Sequence, residues 1–169
     1  MVILVDKQDN EIGRMEKLKA HEYGLLHRAF SVFIFNAKGE MLIQKRAASK
    51  YHSPNLWTNA CCSHPKPDED LQTACKRRLK EEIGIHCHLD LISIGHLLYK
   101  ASFENGLTEH EYDHILSLDT EDTPVLNPDE ASEFRYLSIS AIKNEIALDP
   151  NSFTVWFKLI MEKDFFPKS

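Results

Sequence analysis

Short apolar runs separated by turn signals fill the first third of the chain, and helical spacing takes over beyond it. Val2–Val5 (VILV) predicts a strand, Asp9-Asn10 a turn and Glu11–Met15 a second strand. Lys17–Tyr23 predicts a short helix stopped by Gly24. Ala29–Phe35 reads as a buried strand that Ala37-Lys38-Gly39-Glu40 turns into Met41–Lys45, a hairpin. Leu71, Ala74, Cys75, Leu79 and Ile83 recur at helical spacing and predict a helix over Glu69–Ile83. Asp68 is its expected N-cap, acidic residues occupy its first turn, and Gly84 stops it. Strands follow near Leu91–Phe103, Glu111–Leu118 and Phe134–Leu137. Ser138 or Ser140 caps a helix through Ile146, and Asn151 or Ser152 another from Phe153 to about Lys163. The densest loop signals, Ser63–Asp70 and Asp119–Glu130, do not divide the chain, because the apolar pattern resumes at once. The expectation is an α/β (α+β) fold in one domain over residues 1–169, a mixed sheet with antiparallel hairpins sandwiched between helices.

At 169 residues, 43% hydrophobic and 27% charged, the chain has an ordinary globular composition. Its net charge of -6 disfavours general nucleic-acid binding but leaves room for a local basic pocket. The opening apolar run meets Asp6 and Lys7 after five residues, too soon for a signal segment, and Phe30–Phe35 is far shorter than a membrane span. A cytoplasmic protein is expected, with Cys61, Cys62, Cys75 and Cys87 reduced. No exposed apolar stripe is evident, which favours a monomer over a dimer.

Glu81 and Glu82 close the second expected helix just before Gly84. Acids at a helix C-terminus oppose the macrodipole, so a cation or basic partner must offset them. A solvated helical face is the plainer reading. Residues 63–85, SHPKPDEDLQTACKRRLKEEIGI, resemble the Nudix signature: Gly, five residues, Glu, seven residues, Arg-Glu-hydrophobic-any-Glu-Glu-any-Gly-hydrophobic. Aligned on Gly84, the residues Glu69, Arg77, Leu79, Glu81, Glu82 and Ile85 match, while Ser63 replaces the first Gly and Arg78 the Glu after Arg. The resemblance implies the Nudix fold. Arg78 reverses a charge among the carboxylates that Nudix diphosphate hydrolysis uses for divalent cations, and so argues against that chemistry.

Outside this box, HEYGLLHRAFS (21–31), KRAASK (45–50), NLWTNACCSHP (55–65) and EHE (109–111) resemble the type 1 isopentenyl-diphosphate isomerases, from about Val2 to Trp156. The resemblance implies interconversion of isopentenyl and dimethylallyl diphosphate, with a small-molecule substrate and neither nucleic acid nor membrane as partner. The alternative is a Nudix-type metal-dependent diphosphate hydrolase, and a third reading is a metal-binding or interaction domain without turnover.

Taken singly, each His reads as a surface or satisfied core residue, and His52, His86, His88, His96, His110 and His114 keep that reading. The resemblance assigns His21, His27, His64, Glu109 and Glu111 to one metal. Glu109 and Glu111 share a strand face, and His110 between them faces away. Such a mixed N/O set suits Mn²⁺ first, with Zn²⁺ or Mg²⁺ as other fits. Asn59, Cys62, His64 and Pro65 match the family motif Asn-x-x-Cys-x-His-Pro, with Cys61 at a variable position. A zinc knuckle from Cys61, Cys62 and His64 lacks a second Cys pair at usable spacing.

An unactivated alkene has no carbonyl to hold a carbanion, so the reaction is expected to pass through a tertiary carbocation between an acid and a base. The resemblance implies Cys62 and Glu111 for that pair, Tyr99 to position or relay the proton, and Trp156 to stabilise the cation or simply to pack. Trp57 is read as packing or a pocket wall. Lys17, Arg46, Lys50 and Arg78 match the family's diphosphate-binding cations. Glu82, helped by the Cys62 carbonyl, matches the holder of a Mg²⁺ that arrives with the diphosphate.

Overall fold

The computed structural model describes residues 1–166, and the last three positions of the expected 1–169 domain lie outside them. In chain order the elements are β1 (Val2–Val5), β2 (Glu11–Met15), α1 (Lys17–Tyr23), β3 (His27–Phe35), β4 (Met41–Arg46), β5 (Trp57–Asn59), β6 (Cys61–Ser63), α2 (Leu71–Ile83), β7 (Ile92–Ser102), β8 (Thr108–Asp119), β9 (Ala131–Leu137), α3 (Ile139–Leu148), a 3-10 turn (Pro150–Ser152) and α4 (Val155–Glu162). The strands join in one mixed sheet. No helix among the described residues is long and apolar enough to cross a membrane.

Strand β3 is the axis of this sheet. It runs parallel to β8, from His27 opposite Glu111 to Phe35 opposite Asp119, and antiparallel to β6, with Ser31 opposite Cys62. The expected β3–β4 hairpin closes only at Phe35 and Met41. Beyond the turn β4 diverges to pair with β5 and β9, because Cys61–Ser63, too short to show a strand period, takes the β3 edge. Both faces of β3 are buried. Phe30, Val32 and Ile34 pack with Leu79 and Ile83 of α2, and Phe33 packs with Phe157 and Ile160 of α4. The helices therefore cover both sides of the sheet, as expected.

Helix α2 begins two residues later than its pattern suggests. Asp70, not Asp68, is the N-cap, and its side chain accepts the Thr73 N–H at 3.0 Å. Asp68 instead adopts a left-handed backbone (φ 66°) and accepts two bonds from Arg14. With the start shifted, Glu69 falls outside the helix, and no acid lies in its first turn. Helix α3 is capped by Ser138, whereas Asn151 and Ser152 sit in the 3-10 turn and Thr154 precedes α4.

Gly84 ends α2 in the left-handed conformation (φ 68°), its N–H returning to the Lys80 carbonyl and the Ile85 N–H to the Leu79 carbonyl. A Cβ there would meet the Val125 Cβ and carbonyl oxygen at 2.9 Å. The Gly84→Ala variant is therefore expected to lose about 1–3 kcal/mol of stability. Urea unfolding monitored by circular dichroism reads this directly, and an unchanged midpoint would show that the 84–125 approach relaxes freely.

Candidate active site

Three histidines converge where α1, the start of β3 and the end of β6 meet. The ligand atoms of His21, His27, His64 and Glu111 all lie within 4.8 Å of one another. His21 Nδ1 donates to the Lys17 carbonyl at 2.7 Å, and His27 Nδ1 donates to the Leu25 carbonyl at 2.8 Å. Each bond places the ring hydrogen on Nδ1 and turns the Nε2 lone pair inward. Both Nε2 atoms are buried with no hydrogen-bond partner among the described residues. Buried acceptors without donors are costly, and a divalent cation is what two inward lone pairs beside a carboxylate fit. Burial, then the Lys17 charge, pushes His64 down to about 3, so its ring too is neutral.

Glu109, the fifth expected ligand, stands on the other side of His21, grouped with His52. His52 Nε2 lies 3.4 Å from Glu109 Oε1. His52 is buried, as the core reading allows: its ring is packed edge-on to Tyr51 and Trp156 and stacked on Phe103, and it also lines the cavity. His110 does face away, reaching the Gly24 carbonyl. The Tyr99 hydroxyl joins the two acids, 2.7 Å from Glu111 Oε2 and 3.1 Å from Glu109 Oε2. One hydroxyl hydrogen cannot serve both. Burial, then the Glu111 charge, raises Glu109 well above the carboxylate range. Burial alone would raise Glu111 too, but its hydrogen-bonding neighbours outweigh it and hold Glu111 low, His64 Nε2 donating to Oε1 at 2.9 Å.

On β6 the side chains alternate. Cys61 enters the core against α2, where its thiol donates to Glu82 Oε1 at 3.4 Å, and Cys62 faces the other way. A knuckle using both sulfurs is excluded by this alternation. Cys62 donates to Asn59 Oδ1 at 2.9 Å and accepts the Trp156 indole N–H at 2.9 Å. Ser31 Oγ lies 3.6 Å from the sulfur and donates to Asp113 Oδ2 at 2.8 Å. Burial pushes the Cys62 thiol up to about 12.

Lys17, Arg46, Lys50 and Arg78 line the same cavity, of about 70 Å³, as Cys62, His64, Glu82, Tyr99, Glu109, Glu111 and Trp156. Arg46 is fixed by the Ser53 and His52 carbonyls and lies 5.3 Å over the Trp156 ring. Arg78 Nη2 donates to Glu82 Oε1 at 2.6 Å, and Gln44 Nε2 donates to the other Glu82 oxygen at 3.2 Å. Glu69 of the Nudix-like box is bound by both Nε and Nη2 of Arg77. Trp57 stays outside the cavity, under the Arg135 guanidinium at 4.1 Å. A larger cleft of about 860 Å³, beside Phe35, Ile94, Ile139 and Phe165, holds none of the expected site residues.

Residues 25–157 match the family model of the NUDIX domain. An isopentenyl-diphosphate Delta-isomerase of Aliivibrio fischeri is 47% identical over 168 residues, covering 96% of this chain and 93% of its own. The isopentenyl-diphosphate Delta-isomerase 2 of Photorhabdus laumondii is 45% identical over 161 residues, covering 95% and 90%. The chain belongs to the isopentenyl-diphosphate Delta-isomerase family of NUDIX-domain proteins. Among solved structures, DR0079 from Deinococcus radiodurans has a TM-score of 0.78 at 20% identity, covering 95% of this chain and 97% of its own, which shows the shared fold.

For a member of this family, the residues that sequence reasoning passed over are His52, Asn59 as a partner of the thiol, the Ser31–Asp113 pair and Glu130. Asp113 had a readable signal, since it continues the same-face series of Glu109 and Glu111. Asn59 had one in its motif spacing to Cys62. His52 and Glu130 lie in loops, where no period marks a face.

Because a raised pKa keeps the thiol neutral, Cys62 is expected to react with iodoacetamide at pH 8 at least roughly a hundredfold more slowly than a free cysteine peptide, with a rate still rising above pH 10. Peptide mapping by mass spectrometry measures it. Fast labelling at pH 8 would mean that the thiol ionises readily.

Proposed function

We propose that this family member interconverts isopentenyl and dimethylallyl diphosphate, the activity that the names of its 45–47% identical relatives give to them. The observation that carries the reading is one cavity lined by Cys62, Glu111, Tyr99 and Trp156 together with four cations. A proton added to the terminal alkene carbon and another lost from C2 shift the double bond by one position. Between these steps the chain is a tertiary carbocation.

Cys62 and Glu111 trade those protons across the hydrocarbon, each serving as donor in one direction and acceptor in the other. With the thiol neutral and Glu111 ionised, Cys62 gives its proton to the terminal carbon and becomes a thiolate held by the Trp156 N–H while Glu111 takes the C2 proton, and the other direction reverses both transfers. Tyr99, bonded to Glu111, positions or relays the proton. Trp156 holds the thiol by its N–H and offers its ring to the cation, an attraction of about 0.5–2 kcal/mol. Lys17, Arg46, Lys50 and Arg78 take the diphosphate oxygens. Glu82 and the Cys62 carbonyl would hold the Mg²⁺ that accompanies them. His21, His27, His64, Glu109 and Glu111 would hold a second divalent ion, Mn²⁺ in preference to Zn²⁺ or Mg²⁺. That ion would supply fixed positive charge beside Glu111, so that its protonation state changes with little reorganisation.

The hydrolase reading is disfavoured by the acids themselves. Arg78 stands where the hydrolase box has an acid, which removes one carboxylate from the set that hydrolysis uses for metal, and Glu69 is engaged by Arg77.

Incubation with Mg²⁺ and isopentenyl diphosphate is expected to yield dimethylallyl diphosphate, read by proton NMR. Release of inorganic phosphate or diphosphate, or no change, would overturn the proposal. In the same assay Cys62→Ala and Glu111→Gln should each lose about 10²–10⁴-fold or more in turnover while unfolding near the wild-type temperature, and Cys61→Ala should keep most of it. The reverse pattern for the two cysteines would assign the reaction to the wrong sulfur.

A further inference from the structure

Glu130 has no part in the chemistry above, yet it reaches the diphosphate end of the cavity from just before β9. Its carboxylate pairs with Lys50, and Oε1 lies 3.1 Å from Arg78 Nη2. The same nitrogen is 2.6 Å from Glu82 Oε1, so one corner of the guanidinium spans two carboxylates. The Glu130 side chain is only 18% exposed, and the Arg78 side chain equally so, unlike a loose surface pair. Its backbone is anchored as well: the Glu130 carbonyl accepts the Ala47 N–H at 3.0 Å, tying it to the loop that carries Arg46 and Lys50. A diphosphate that takes Lys50 and Arg78 competes with Glu130 for the same donors, so these ion pairs must open on binding.

Four cations, Lys17, Arg46, Lys50 and Arg78, and four carboxylates, Glu82, Glu109, Glu111 and Glu130, line the cavity, so it has no large positive excess and Glu130 takes up charge that a diphosphate would otherwise use. A diphosphate monoester carries about −3 and, complexed with Mg²⁺, about −1. The metal-free ester would have to displace Glu130 from both cations and leave it unpaired beside phosphate oxygens. The complexed ester brings a cation that can take over the displaced carboxylate.

We propose that Glu130 is a built-in anion that occupies Lys50 and Arg78 and thereby makes the pocket select metal-complexed over metal-free diphosphates. It is a specificity-determining residue, and the proposal rests on the diphosphate-binding reading of this cavity.

Calorimetric titration of the intact chain with inorganic diphosphate, with and without Mg²⁺, tests it. Glu130→Gln is expected to bind metal-free diphosphate at least tenfold more tightly than wild type, while affinity for the Mg²⁺ complex changes less than threefold. Glu130→Asp, which keeps the charge, is expected to retain the wild-type preference, and loss of that preference there would overturn the proposal. An unchanged preference in Glu130→Gln would overturn it, as would weaker binding of both forms, which would make Glu130 only a brace for Lys50 and Arg78. Wild-type protein that binds neither form would overturn the diphosphate reading itself.

Discussion

The parallel pairing of β3 with β8 is the contact on which the site depends. It sets His27 opposite Glu111 and Ala29 opposite Asp113, so the carboxylate row of β8 lies beside the start of β3. Side chains alternate with a period of two, and a slip of one residue would turn Glu109, Glu111 and Asp113 to the face that His110 occupies. The core forbids that slip. Phe30, Val32 and Ile34 fill one layer and Phe33 the other, and exchanging them would break both.

That register gathers polar groups where little water reaches, and each is prepared by a neighbour rather than by its own chemistry. Main-chain carbonyls select the tautomers of His21 and His27, which leaves two inward lone pairs for a cation. Tyr99 bridges Glu109 and Glu111, whose surroundings push the two carboxyls in opposite directions, Glu109 up and Glu111 down. Trp156 and Asn59 bracket the Cys62 sulfur as donor and acceptor, and burial keeps the thiol neutral. For the proposed carbocation chemistry, this arrangement keeps a proton on the sulfur side and an ionised carboxylate on the other, and it sets the Trp156 N–H where it holds the thiolate left when that proton is given up.

The acids at the end of α2 find their offset locally. Arg77 and Arg78 reach Glu81 and Glu82 within one helical turn, and Arg77 also reaches back to Glu69. The Nudix-like box has thereby become a set of ion pairs at the wall of the pocket. Its arginine at position 78 links the helix to Glu130 on the approach to β9, and so joins the box to a residue far away in the chain.

Local periodicity was enough to determine the sandwich of helices on a mixed sheet, the shared face of Glu109 and Glu111, and the outward turn of His110. The family resemblance, carried by the segments around His21 and His27, Asn59–Pro65 and Glu109–Glu111, pointed to Cys62, His64, Glu109 and Glu111 of the cavity and to the four cations that line it. It did not show that β6 would displace β4 from β3, that Asp70 rather than Asp68 would cap α2, or that His52 and Glu130 would enter the site. The physical reason is the reach of each signal. Spacing along one strand or helix states which side chains share that element's face. His52 meets Glu109, and Glu130 meets Arg78, only because strand register and loop closure bring separate elements together, and no segment encodes those encounters by itself.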